Sequence, residues 1–244
     1  MRKTEIKIFE TSNHLINELS DELVRYFKTL NKSQKHITVA LSGGNTPKEM
    51  FKYLAENYSE DKIWNSVKFF WGDERCVPPD SSESNFGEAE RLFFSRLKNS
   101  KLHIFRVKGE DNPEQEAERY SELINKNVDT ENGLPKFHLV LLGIGEDGHT
   151  ASIFPDQISL FDSDKICAVA VQPKTGQKRI TLTGKVINNS TNIIVMAAGK
   201  SKSKILKEII LSKNNKYPAA RIKPVSGNLL WFADESAASE LFPE

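Results

Sequence analysis

Short apolar runs alternate with amphipathic stretches along most of the chain. The runs that read as strands cover residues 37–42, 67–71, 102–105, 137–143, 166–171, 192–198 and 229–232. Between them, apolar residues recur at steps of three and four, which is typical of helices with one buried face. The clearest such stretches cover residues 12–30, 86–97, 113–124 and 201–211. This alternation, with strands that are apolar throughout, predicts an α/β fold with a mostly parallel sheet covered by helices on both faces.

The loops that follow the strands are the first place to look for chemistry. In open α/β sheets, ligands bind beyond the carboxyl ends of the strands. We therefore expect the loops after Ser42, Trp71, Gly143 and Ala198 to converge on one crevice. The sequence contains neither an internal repeat nor a low-complexity linker, so we predict a single domain over residues 1–244.

Composition narrows the class of protein. The 34 Lys and Arg residues nearly balance the 33 Asp and Glu residues, and a net charge of +1 argues against a general nucleic-acid-binding protein. Two cysteines are too few for a disulfide framework, which favours a reducing compartment. The N-terminus is charged where a signal peptide would be apolar, and no apolar run approaches a membrane span. We expect a soluble cytoplasmic protein.

The first strand-end loop, SGGNTPKE at residues 42–49, has the character of an anion site. Its two glycines let the backbone approach a ligand, and backbone N–H groups at a helix start attract anions. Thr46 and Glu49 fit a capping box, and Pro47 would take the first helical position. An ordinary tight turn between a strand and a helix is the alternative interpretation.

The second loop places three adjacent charges, Asp73, Glu74 and Arg75, at the mouth of a buried strand. Such charges are costly there unless they pair or bind a ligand. Arg75 could hold an oxygen in a bidentate manner, while Asp73 or Glu74 accepts a proton or orients a sugar hydroxyl. A solvated turn with a local salt bridge is the alternative. Cys76 has no partner in the sequence that would make it a nucleophile.

The third loop, GIGEDGHTAS at residues 143–152, contains a formal G-x-G-x-x-G. Pro155 cuts the following helix short, which argues against a dinucleotide site. Of five histidines, His149 alone lies in a glycine loop at a strand end, where an imidazole can activate water. Asp147 could orient its ring. A purely structural loop histidine remains the alternative.

A basic group completes the candidate chemistry. It consists of Lys178-Arg179-Ile180-Thr181 and of Gly199-Lys200-Ser201-Lys202, which resembles only half of a P-loop. Nucleophile-elbow, zinc and calcium motifs are absent from the sequence, so we expect neither a metal nor a cofactor. From chemistry alone, the residues predict a phosphorylated metabolite acted on by general acid–base catalysis, and they leave the reaction open.

Several blocks carry a resemblance to a known family. In order along residues 39–238 they are LSGGNTP, FFWGDERCVP, SNFGEAERLFF, LVLLGIGEDGHTASIFP, KRITLT and GNLLWFADESAA. Together they resemble the 6-phosphogluconolactonase family, within the glucosamine- and galactosamine-6-phosphate isomerase superfamily. The resemblance implies a modified Rossmann-like fold. It also implies hydrolysis of 6-phospho-D-glucono-1,5-lactone to 6-phospho-D-gluconate in the pentose phosphate pathway, with a small sugar-phosphate lactone as the partner.

The resemblance also implies roles for individual residues. His149 matches the general base that takes a proton from water, and Asp147 would orient it. Asp73 would contact ring hydroxyls or assist proton transfer, and Arg75 or glycine-loop N–H groups would stabilise the oxyanion. The residues that match the phosphate cradle of the sugar-phosphate relatives are Ser42, Gly43, Gly44, Arg179 and Lys202. Lys202 is preferred to Lys200 because the relatives place a lysine three residues after the glycine.

Two other functions stay open on the same scaffold. A glucosamine-6-phosphate deaminase-like isomerase would use the same loops, although the deaminases carry an acidic residue before the proline and this chain has Phe154. A sugar-phosphate-binding regulator without catalysis is the other, and the joint presence of Asp73, Arg75, Asp147 and His149 argues against it. We expect a monomer or a small homo-oligomer.

Overall fold

The computed structural model describes residues 4–98, 101–211 and 215–241. Its strands are β1 (Thr4–Phe9), β2 (Ile37–Leu41), β3 (Val67–Trp71), β4 (Asp73–Arg75), β5 (His103–Ile104), β6 (Thr130–Glu131), β7 (Leu134–Pro135), β8 (Leu139–Gly143), β9 (Cys167–Val171), β10 (Lys178–Leu182), β11 (Asn192–Ala197) and β12 (Asn228–Asp234). Its α-helices are α1 (Ser12–Leu30), α2 (Asn45–Tyr58), α3 (Asn85–Leu92), α4 (Pro113–Asn127), α5 (Gly184–Asn188), α6 (Ser203–Ile210) and α7 (Glu235–Ala238). Short 3-10 helices cover Lys62–Ser66, Phe94–Arg96, Pro155–Phe161, Lys200–Lys202 and Pro218–Arg221.

Seven strands form the central sheet in the order β1-β12-β11-β8-β2-β3-β5, and every neighbouring pair is parallel. The inner strand β2 is buried along its whole length, and its neighbour β8 is buried except at its last residue. Burial on both faces explains why these strands read as continuous apolar runs. The predicted mostly parallel sheet flanked by helices is confirmed.

A second sheet is antiparallel and was not predicted as a separate unit. It has the order β4-β10-β9, and it contains the apolar run at residues 166–171 that the pattern assigned to the same sheet as the others. The chain leaves the central sheet at Gly72, one residue after β3. The Gly72 N–H donates to Leu41 O, and its carbonyl accepts from Leu182 N, both at 2.8 Å. This glycine therefore joins the two sheets.

Several element boundaries differ from the sequence prediction. The helix expected over residues 86–97 ends at Leu92 and continues as a 3-10 turn, and the helix expected from residue 201 begins as a 3-10 turn before α6. Strand β1 lies at the edge of the central sheet and pairs only with β12. It is not among the predicted strands, although its TEIKIF segment alternates polar and apolar residues as a half-covered strand does.

Helix α4 is anchored directly to the strand that leads into the second sheet. The Tyr120 hydroxyl accepts from Trp71 N at 2.7 Å and donates to Trp71 O at 3.1 Å. Both side chains are almost fully buried. The hydroxyl thus satisfies both backbone groups of the last residue of β3, which no neighbouring strand could do where the sheet ends.

None of the helices in the described ranges has the length and apolar character needed to cross a membrane.

The Tyr120 anchor can be tested by removing one oxygen atom. Tyr120→Phe leaves the buried N–H of Trp71 without an acceptor, so we expect the free energy of unfolding to fall by about 1–3 kcal/mol. The measurement is the urea unfolding curve. Tyr53→Phe is the matched control, because the Tyr53 hydroxyl shares Asp21 with Tyr58 and lies in a more exposed place. Equal midpoints for the two variants would contradict the anchor.

Candidate active site

One cavity of about 380 Å³ opens at the carboxyl ends of β2, β8 and β11 and beside β4. Its wall is formed by the loops after Ser42, Trp71, Gly143 and Ala198, which converge as the parallel topology requires. Eight of the nine residues given a role from the sequence line it, namely Ser42, Gly43, Gly44, Asp73, Arg75, His149, Arg179 and Lys202. The ninth, Asp147, contacts His149 from outside the wall.

His149 and Asp147 form a hydrogen-bonded pair at the cavity wall. His149 Nδ1 lies 2.6 Å from Asp147 Oδ1, and the same oxygen accepts from His149 N at 3.2 Å. Partial burial would raise the pKa of Asp147, but the hydrogen bonds and charge of His149 lower it to about 2. An ionised carboxylate only accepts, so Nδ1 donates to it, and in the neutral form of the ring the lone pair is then on Nε2. That is the tautomer a general base needs.

Glycines shape the loop that carries this pair. Gly145 N donates to His149 O at 2.9 Å, and Gly148 N donates to Gly145 O at 3.0 Å, which closes a compact turn. Gly148 has φ of +82°, a conformation that favours glycine. A side chain at Gly145 would collide with the His149 ring. The ring also packs against Phe154, with 4.8 Å between the ring centres.

Successive side chains of a strand point to opposite faces, and this separates the three charged residues of β4. Asp73 and Arg75 line the cavity, while Glu74 is buried and does not. Asp73 Oδ2 accepts from Ser152 Oγ at 2.6 Å. Of the two carboxylates that the sequence offered for proton transfer or for orienting a hydroxyl, only Asp73 is therefore in position.

Arg75 and Arg179 lie directly opposite each other on β4 and β10. Arg75 Nη1 donates to Glu83 O at 2.6 Å, and Arg179 Nη1 donates to Ser152 Oγ at 3.4 Å. The Nε atoms of both arginines are buried and have no hydrogen-bond acceptor. Burial and the adjacent charge of Arg75 lower the pKa of Arg179. Two neighbouring guanidinium groups with unmet donors are suited to an anion.

The predicted capping box at the start of α2 is wrong. The helix begins at Asn45 with Gly44 as its N-cap, and no side chain caps it. Gly44 has φ of +103°, and Lys48 N closes the first turn on Gly44 O at 3.2 Å. The helix therefore starts two residues earlier than expected, and Pro47 lies inside the first turn. The residues of this uncapped helix start line the cavity, and backbone N–H groups at such a start can bind an anion.

The two lysines at the other end of the cavity differ in their contacts. Lys202 lines the cavity, whereas Lys200 Nζ turns away and donates to Ser239 Oγ at 2.8 Å. The turn that carries them is fixed by Gly199, whose N–H donates to both carboxylate oxygens of Asp234 at 3.0 Å. Asp234 also caps α7, where its side chain accepts from Ala237 N.

Two residues at the site were not identified from the sequence. Asn85 lines the cavity, and its Nδ2 donates to Asp73 O at 2.9 Å. Ser152 is fully buried behind Asp73. Both lie inside sequence blocks that carried the family resemblance, and that position was the only available signal.

The Cys76 thiol is not activated as a nucleophile. Burial, with the charge of Glu74, raises the pKa of the Cys76 thiol to about 11, so this thiol is protonated at neutral pH and is a poor nucleophile. Within the ranges that the structure covers, no group of three or more His, Cys, Asp or Glu side chains could hold a metal ion.

The family model, the curated proteins and the solved structures that match this chain point to the same family. The family model for "Glucosamine-6-phosphate isomerases/6-phosphogluconolactonase" matches residues 10–231. A 6-phosphogluconolactonase of Haemophilus influenzae is 38% identical over 232 residues, covering 94% of this chain and 96% of that protein. One of Treponema pallidum is 42% identical over 187 residues, covering 77% and 78%. The solved structure of the devB protein is 39% identical with a TM-score of 0.92, covering 98% and 100%.

The close contact between the glycine loop and α3 predicts a stability effect. Gly43→Ala would push a methyl group into the buried side chain of Asn85, so we expect a loss of about 1–3 kcal/mol in the free energy of unfolding. Gly143→Ala is the control, since an added Cβ there meets no atom within 4 Å although Gly143 also lines the cavity. Urea unfolding of both variants decides the question, and a stable Gly43→Ala protein would contradict the packing.

Proposed function

The chain belongs to the glucosamine-6-phosphate isomerase/6-phosphogluconolactonase family, and on that basis we propose that it hydrolyses 6-phospho-D-glucono-1,5-lactone to 6-phospho-D-gluconate. One observation carries the proposal. The His149–Asp147 pair lies on the same cavity of about 380 Å³ as an uncapped helix start and three basic side chains. A base and an anion cradle in one cavity suit a phosphorylated substrate that is attacked by water.

The phosphate would bind at the glycine loop. Backbone N–H groups at the start of α2 are free of side-chain caps, and Ser42, Gly43 and Gly44 line the same wall. The N-terminus of a helix also attracts negative charge through its dipole. Lys202 and Arg179, which line the same cavity, supply the counter-charges.

The reaction then follows from the tautomer of His149. His149 Nε2 takes a proton from water as the water oxygen attacks the lactone carbonyl carbon, and the carbonyl π pair moves onto its oxygen. The ionised Asp147 stabilises the imidazolium that forms. When the tetrahedral intermediate collapses, the bond from C1 to the ring oxygen breaks. The imidazolium returns its proton to that oxygen, which leaves the open-chain acid and a neutral histidine.

The negative charge that develops on the carbonyl oxygen needs preorganised donors. Arg75 is the side chain that we assign to this role, because it lines the cavity and a guanidinium group always carries its charge and its N–H donors. Asp73, on the same strand, would orient the ring hydroxyls of the sugar. The buried hydrogen bond from Ser152 leaves its other carboxylate oxygen, Oδ1, available for that contact.

The deaminase-like isomerase is disfavoured by one local feature. Its sequence pattern places an acidic residue before the proline that follows the histidine loop. Here that position is Phe154, which is buried, packs on the His149 ring and lies 5.7 Å below the Arg179 guanidinium. An apolar ring in this place offers no second proton-transfer group.

We also propose that the protein works in the cytoplasm as one domain. Cys76 and Cys167 are free thiols, which suits a reducing compartment. The net charge of +1 provides no broad basic field for nucleic acid.

Freshly generated 6-phosphogluconolactone is the substrate for the first test. The wild-type protein should release 6-phosphogluconate, detected with a coupled dehydrogenase, faster than the spontaneous opening of the lactone. We expect His149→Ala to lower kcat by about 100-fold or more with little change in KM. His14→Ala, at an exposed position on α1, is the control. A background rate from folded wild-type protein would overturn the lactonase proposal, and an unchanged kcat in His149→Ala would remove only the base.

The phosphate cradle predicts a different kinetic signature. We expect Lys202→Ala and Arg179→Ala to raise KM by about 10- to 100-fold, because each removes a charge-assisted contact to the phosphate. Lys200→Ala should leave KM unchanged, since Lys200 is held by Ser239 away from the cavity. If Lys202→Ala slowed kcat but kept KM, the assignment of this lysine to the phosphate would be wrong.

A further inference from the structure

Ser152 has no part in the steps above, yet its side chain contacts two residues that do. Its Oγ lies 2.6 Å from Asp73 Oδ2 and 3.4 Å from Arg179 Nη1. The residue is fully buried and is absent from the cavity wall. It therefore lies behind the site and acts on the substrate only through its neighbours.

The chemistry of the two neighbours fixes the direction of these hydrogen bonds. A guanidinium group only donates and a carboxylate only accepts, whereas a hydroxyl has one proton and two lone pairs. The Ser152 hydroxyl therefore donates its single proton in the hydrogen bond to Asp73, and a lone pair of its oxygen accepts the hydrogen bond from Arg179. The hydroxyl is the bridge between an anion and a cation that make no direct ion pair with each other in the described part of the chain.

The backbone is shaped to deliver this hydroxyl. Ala151 has φ of +48°, an uncommon conformation for a residue with a side chain, and Ile153 N donates to Thr150 O at 2.9 Å across the turn. The turn leaves Ala151 on the cavity wall and Ser152 on the inside. Ser152 N in turn donates to Thr181 Oγ1 at 3.2 Å, on the strand β10 that also carries Arg179.

Ser152 consequently joins three elements of the fold. The loop after β8 carries His149, β4 carries Asp73, and β10 carries Arg179. Thr181, which accepts from the Ser152 N–H, lies opposite Asp73 in the pairing of β4 with β10. A residue three positions after the base is thus hydrogen-bonded to two of the three strands of the antiparallel sheet, β4 and β10.

We propose that Ser152 is a positioning residue whose hydroxyl holds the Asp73 carboxylate and the Arg179 guanidinium apart and directed at the substrate. Without the bridge, these opposite charges are free to pair with each other, which withdraws both from the sugar and its phosphate. The inference rests on the proposed lactonase function, and it adds a residue to which that function assigned nothing.

The test is a double-mutant cycle on lactone hydrolysis. We expect Ser152→Ala to lower kcat/KM by about 10-fold or more, through both a higher KM and a lower kcat. In an Asp73→Ala background, the same change should cost less than about 3-fold, because its main partner is already gone. A residue that merely supports the fold would give the same factor in both backgrounds.

Ser20→Ala is the matched control. Ser20 is also fully buried, and its hydroxyl donates to Ile16 O at 2.7 Å within α1. We expect it to leave kcat/KM within about 2-fold, while its urea midpoint reports the general cost of losing one buried hydroxyl.

A second variant keeps the test decisive if Ser152→Ala does not fold. Ser152→Cys fills similar space with a much weaker donor, so we expect it to lose kcat/KM as Ser152→Ala does, with a smaller change in the urea midpoint. Wild-type kcat/KM in either variant, or an equal loss in both backgrounds, would overturn the positioning role. An inactive wild-type protein would instead overturn the proposed function, so the two failures are distinguishable.

Discussion

The buried carboxylate of Glu74 is the interaction on which the rest of the site depends. Its Oε1 accepts from Arg75 N and Asn85 N, and its Oε2 accepts from Phe86 N, all at 2.8 Å, and from Ser84 Oγ at 3.2 Å. Burial raises the pKa of Glu74, and the three backbone N–H groups oppose that rise. One side chain therefore fixes β4 to the start of α3. A buried carboxylate without these donors would be very costly.

Further contacts follow from that attachment. Asn85, held by Glu74 through its backbone, packs so closely on Gly43 that only glycine fits. The glycine loop is thereby placed beside Arg75, whose side chain is held in turn by Glu83 O. On the other side, the antiparallel pairing of β4 with β10 brings Arg179 opposite Arg75. The residues that we propose as anion cradle and oxyanion donor are thus positioned through the buried Glu74 carboxylate.

The central sheet was predictable because its strands are buried on both faces, and such strands read as continuous apolar runs. The second sheet was not, since β4 has only three residues, all of them charged, and β10 begins with two basic residues. The start of α2 was misplaced because Gly44 adopts a positive φ, which no pattern of polar and apolar residues encodes. Local patterns thus predicted the layers better than the ends of the elements.

The same distinction applies to the site. The sequence pointed to His149, Asp73 and Arg75 because they come shortly after the carboxyl ends of β8 and β3, where loops from distant parts of the chain meet. The pairing of His149 with Asp147 was also expected, since the two lie only two residues apart. A role for Ser152 could not be predicted. Its hydroxyl contacts Asp73, 79 residues away, and Arg179 on β10, a strand that the apolar pattern did not predict. Long-range hydrogen bonds are the part of a site that a single sequence conceals.

Electrostatics explain why the cavity rather than the whole surface must recognise the substrate. The net charge of +1 provides little long-range attraction for a phosphorylated molecule. Inside the cavity the balance is different, because the three cations Arg75, Arg179 and Lys202 line it together with the acidic side chains of Asp73 and Glu146. This local group of cations, rather than the overall charge of the protein, is therefore what can attract a phosphorylated molecule.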